Sequence, residues 1–138
     1  MSEPQDLSLT DIIKRQLALR EAMTENPRYR PDAYVFVCEG VNYTCSRLGE
    51  RRDVSGRELM EGLCDLAVER FGYLAPTVLK HWGVTSTEDF GEIVFTLVEH
   101  GLLGKSPRDC KADFQNLFDL HKTLRERYRM DDDASSDN

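Results

Sequence analysis

Four arginines, Arg47, Arg51, Arg52 and Arg57, crowd around Ser55, and Ser55-Gly-Arg-Glu58 has the form of a capping box that opens a helix. A helix N-terminus offers free N–H groups and a partial positive charge, which suits an anion, and guanidinium forks add donors for phosphate. Arg51, Arg52, Arg57 and Ser55 are therefore a candidate anion-binding site. The plainer reading is a charged linker in which the arginines pair with Glu50, Asp53 and Glu58, and the density of local acids favours it.

A second group lies in the segment from Thr87 to His100. Glu88 and Glu92 fall one helical turn apart, a spacing that could hold a metal or serve as acid and base. Acids at that spacing are far more commonly a solvated helix face. With Phe95, which falls off the main apolar stripe, and Glu99, they make a candidate interaction surface. Asp89-Phe90-Gly91 matches a kinase metal-binding triplet, yet no other kinase element accompanies it. Ser46, Ser55 and Ser86 lack a nucleophile motif, and neither a P-loop nor G-x-G-x-x-G occurs. No catalytic residue and no cofactor is assigned.

Cys38, Cys45, Cys64 and Cys110 contain no C-x-x-C pair, and His81, His100 and His121 are scattered. On one helix Cys38 and Cys45 would sit roughly 10 Å apart, too far for a disulfide. The expectation is buried reduced thiols and no metal.

The elements that would position these groups are mostly helical. Ser8-Leu-Thr-Asp11 opens a first helix that ends near Asn26-Pro27, with Leu9, Ile12, Ile13 and Leu17 as its apolar stripe. Residues 32–48 fit helical spacing throughout, although Val35, Val37, Val41 and Tyr43 also suit a strand and Gly40 weakens the helix. Three helices follow near 55–71, 74–82 and 87–100, stopped by Gly72, Gly83 and Gly101. Leu63, Leu79, Ile93, Val94 and Leu97 should meet in one core. Trp82, Phe90, Tyr73 and Phe95 could form a docking surface, Phe95 foremost, although most of them are expected in the core. Residues 102–120 could form a strand–loop–strand, although Phe114, Leu117, Phe118 and Leu124 also suit a helix.

The three helices have the order of a helix-turn-helix. The fold class expected is mainly α, a winged-helix-like core at about 54–120 with extra N-terminal helices and a small β-hairpin wing. Residues 1–130 should form a single domain and 131–138 a disordered acidic tail. Net charge is −7, of which 131–138 supplies four acids, leaving −3 on the rest, while 107–130 is locally +2. The tail could instead mask that basic stretch. No apolar run approaches the roughly 20 residues that span a bilayer, and the N-terminus lacks a secretion signal. A cytoplasmic protein is expected.

Residues 54–105, together with PDAYVFVCEGVNYT and DFQNLFDL, resemble an uncharacterised bacterial family of about 140-residue proteins of planctomycete–verrucomicrobial type. The phrase WGV-x-x-T-x-DFGEIVF carries the resemblance best. It implies a single cytoplasmic domain and supplies no chemistry.

The residues themselves point to a non-enzymatic protein-interaction or regulatory module, with another protein or a second copy as partner. DNA reading by the 87–100 helix is not expected, because that helix holds no Lys or Arg and four acids that a phosphate backbone would repel. The first alternative is a nucleic-acid-binding regulator that uses the basic segments 47–57 and 122–129. The second is an enzyme whose site is not recognisable from sequence.

Overall fold

The computed structural model describes residues 8–48, 54–103 and 112–136. They are mainly helical, with no strand among the described residues. The elements are α1 (Leu9–Glu25), α2 (Pro31–Leu48), α3 (Gly56–Phe71), α4 (Ala75–His81), α5 (Thr87–Glu99) and α6 (Leu120–Ser136). Short 3-10 turns occupy Gly72–Leu74 and Ala112–Phe114.

Local chemistry sets most of these boundaries. The Ser8 hydroxyl accepts from the Asp11 N–H, and both expected capping boxes, Ser55 with Glu58 and Ser86 with Asp89, are formed. Gly83 and Gly101 take φ of +93° and +74°, backbone that a side chain would strain. Past Gly101, the Leu102 N–H reaches back to the Leu97 carbonyl at 2.9 Å and closes the end of α5.

Residues 32–48 resolve as helix. Gly40 is there for packing: a Cβ at Gly40 would collide with the Leu63 side chain, and one at Gly62 with the Thr44 hydroxyl. These two glycines let α2 and α3 approach closely. α5 runs through the centre, where Leu63, Leu79, Ile93, Val94 and Leu97 share one core. Phe36 lies 5.4 Å from the Trp82 ring, which meets Phe71 edge-on at 5.7 Å.

Some expectations are changed or sharpened. The α1 stripe of Leu9, Ile12, Ile13 and Leu17 is exposed, at 73, 42, 50 and 55%. The docked side is instead Ala22 with Ala18, Leu19 and Met23 beside it. Ile12 falls within about 20° of Leu19 and Met23 around the helix, yet every position from 9 to 17 is exposed, so the first half of α1 runs clear of the described body. Of the four aromatics considered, Trp82 and Phe90 are buried, Phe95 is half-buried and Tyr73 is 73% exposed. The described part of 102–120 contains a 3-10 turn and loop rather than strands, because Thr87 and Glu88 bond this segment to α5. α6 runs as helix to Ser136. No helix among the described residues is long and apolar enough to cross a membrane.

Candidate functional site

The start of α3 already holds an anion of its own. Ser55 Oγ accepts from the Glu58 N–H at 3.0 Å, and the Ser55 N–H donates to Glu58 Oε1 at 2.9 Å. The N–H groups of Ser55 and Glu58 are thus engaged in the capping box. Arg57 turns along the helix to Glu61, Nε to Oε2 at 3.6 Å. Arg51 and Arg52 lie outside the described residues, as do Glu50 and Asp53. A cleft of about 510 Å³ opens between α2 and α3, lined by Thr44, Arg47, Ser55, Arg57 and Glu61 among others.

Deeper in that cleft the charges are spent on one another. Arg47 of α2 and Arg127 of α6 each bond one oxygen of Asp65 on α3. Arg127 also reaches Glu61 at 3.1 Å, so a single guanidinium spans two acids one turn apart. The hydrogen bond from Arg47 to Asp65 raises the arginine's pKa; for Arg127, burial pulls down while Asp65 and Glu61 outweigh it. Cys64 is buried beside them, and burial pushes its thiol up to about 12. At neutral pH it is protonated and a poor nucleophile. This arrangement ties three helices together, and its acids are committed to arginines rather than to proton transfer.

The candidate interaction surface on α5 is divided by the fold. Glu88 Oε2 accepts the Asn116 N–H at 2.9 Å, while the neighbouring Thr87 hydroxyl donates to the Phe114 carbonyl at 2.7 Å. Glu88 therefore anchors the 112–117 turn. Phe95 is half-buried against the core and Glu92 is half-buried, so of the four residues Glu88 and Glu99 alone are exposed. Between them Asp89 is 4% exposed and accepts from the Tyr29 hydroxyl at 2.7 Å and the Thr85 N–H at 2.8 Å. Among the described residues no cluster of His, Cys, Asp and Glu is arranged to hold a metal ion. Cys38 and Cys64 are free thiols, and Cys110 lies outside the described residues.

Two surfaces escaped the sequence reading. One is the outward stripe of α1. The other is a cleft of about 150 Å³ between the Gly72–Pro76 turn and α6, walled by Tyr73 and Tyr128 and flanked by Arg125 and Arg129. Its signal was present as Arg125, Tyr128 and Arg129 at helical spacing, but nothing in the sequence said that Tyr73 would meet them. Comparison with family models, curated proteins and solved structures finds no match, so the functional reading rests on these residues alone.

Proposed function

We propose that this chain is a non-enzymatic protein-interaction module that offers the first half of α1 to an apolar groove of another polypeptide. The observation that carries the reading is the exposed stripe of Leu9, Ile12, Ile13 and Leu17 on a helix whose residues 9–17 are exposed at every position. A contiguous apolar surface of this kind usually marks a binding site. We take the occupant to be another chain, either a different protein or a second copy.

We read α3, α4 and α5 as a helix-turn-helix of winged-helix type that serves as scaffold. Support comes from the element order and the tight turn at Gly83. The scaffold's second helix exposes two acids and no base, which speaks against a duplex as its target. The nucleic-acid alternative keeps Lys122, Arg125 and Arg129, all exposed on α6, whereas Arg47, Arg57 and Arg127 are engaged with Asp65 and Glu61.

The test is a photo-crosslinker at Gln16, used in the native host, with sedimentation of the pure protein to detect self-association. Adducts or oligomers should disappear in an Ile13→Asp, Leu17→Asp variant whose melting temperature is unchanged. Adducts that persist in the variant would refute the reading.

A further inference from the structure

His100 caps the C-terminal end of α5 and touches Glu25, the last residue of α1. Its Nδ1 lies 2.9 Å from the Thr96 carbonyl oxygen, and its Nε2 lies 3.2 Å from Glu25 Oε1. Both neighbours are acceptors: a carbonyl oxygen and an ionised carboxylate have no proton to give. The two contacts are hydrogen bonds together only when both ring nitrogens carry protons, in the imidazolium form. A neutral ring keeps one bond and turns a lone pair on the other oxygen, whichever tautomer it adopts.

The groups around the ring are acidic or neutral. Neither α1 nor α5 carries a basic residue in its last turn, so two helix C-termini converge on His100 with Glu25 and the preceding Glu99 beside them. From α2, Tyr34 donates its hydroxyl to the Asn26 carbonyl at 2.7 Å, just past the end of α1. Burial, then the charges of Glu25 and Glu92, push the Tyr34 phenol up to about 12, so it stays uncharged.

The place of this contact matters as much as its chemistry. α1 is docked only through its second half, at Ala22 with Ala18, Leu19 and Met23, and α5 is its main neighbour. The ion pair ties the base of that helix to the end of α5, while residues 9–17 run clear.

We propose that His100 and Glu25 form a pH-dependent latch, which holds the base of α1 against α5 in mild acid and slackens as the ring loses its proton. Histidine changes charge between about pH 5 and 8, a range in which carboxylates ordinarily stay ionised. Bonds that need the charged ring are complete at the acid end of that range and are lost as pH rises through it. The latch belongs to the chain alone. Its regulatory meaning, control over how firmly the docking helix is presented, rests on the reading of α1 as that helix.

The test is amide hydrogen exchange on the full chain at about pH 6 and about pH 8, with intrinsic rates divided out. Protection of residues 18–26, referred to that of α3, should fall about two- to fivefold in the parent as pH rises, the range for a partly exposed ion pair. Glu25→Gln and His100→Gln should each remove that fall. His81 and His121 are common to all three proteins, so their titration cancels in the comparison. The Glu25 side chain is 53% exposed, so Glu25→Gln should melt with the parent even if His100→Gln does not. Parallel changes in parent and Glu25→Gln, or protection that rises with pH in the parent, would overturn the latch. A failed Gln16 crosslink leaves this measurement unaltered, so the latch and the docking reading fail separately.

Discussion

α5 is covered on almost every side, whereas the first half of α1 is covered on none. Both are amphipathic and both begin with a serine cap. α5 is held by side chains from α2, α3 and the 112–117 turn, and its polar residues are recruited too: Asp89 by Tyr29, Glu88 by Asn116. The start of α1 has little beyond its cap and its own backbone ladder, and a helix supported so thinly is marginal in water. The difference teaches that amphipathic spacing marks a face for burial without saying which molecule buries it. In α5 the partner is this chain; in α1 the partner we propose is another.

The sharpest way to break this contrast is at its buried end. Leu97 is fully buried at the centre of the core, and Leu97→Ala should cost about 2–5 kcal/mol in urea denaturation. A change within error would place the α5 stripe in water and remove the contrast.

Asp89 should come next, at about 1–3 kcal/mol for Asp89→Ala, since the change strips buried donors of their acceptor. Burial alone would raise its pKa, but the bond from Tyr29, the Thr85 N–H and the Arg28 guanidinium together lower it. A lowered folded pKa gives stability that is complete above the usual aspartate range and is lost as pH falls through the folded value. The parent should therefore lose more stability than Asp89→Asn on acidification below about pH 4. Parallel pH curves for the two proteins would show that the charge at Asp89 contributes nothing.

What could be read from the sequence follows the same division. The two capping boxes, the glycine stops and the α5 stripe are local patterns, and each was legible because its partners lie within a few residues. The anion reading of Arg57 and Ser55 rested on local spacing as well, but spacing does not reveal that Arg57 turns along the helix to Glu61. The Asp65 clamp and the Tyr73–Tyr128 contact join residues far apart in the chain, and the exposure of the start of α1 depends on how far the packed body reaches along that helix. No periodicity in one strand of sequence carries that information.

Asp65 gives a smaller test, because Asp65 and both its arginines are partly exposed. Asp65→Ala should cost about 1 kcal/mol, with salt reducing the difference from the parent. A loss as large as that of Leu97→Ala would make the clamp part of the core rather than a tie across its edge.

The smallest effect is expected at the exposed end of the comparison. Leu17 is 55% exposed on the outward stripe, so Leu17→Ala should move the stability of the isolated chain by no more than about 0.5 kcal/mol. Alanine is also the better helix former by a small margin, which offsets part of any loss. Concentration separates the two classes of occupant. If a second copy covers the stripe, parent stability rises with protein concentration, because association draws on the folded state. Leu17→Ala should then flatten that dependence while leaving the dilute limit untouched. If the occupant is a different protein, parent and variant should coincide at every concentration, and only the Gln16 crosslink should distinguish them. A large loss at high dilution fits neither case: it would mean that Leu17 packs on its own body, and the contrast between α1 and α5 would be gone.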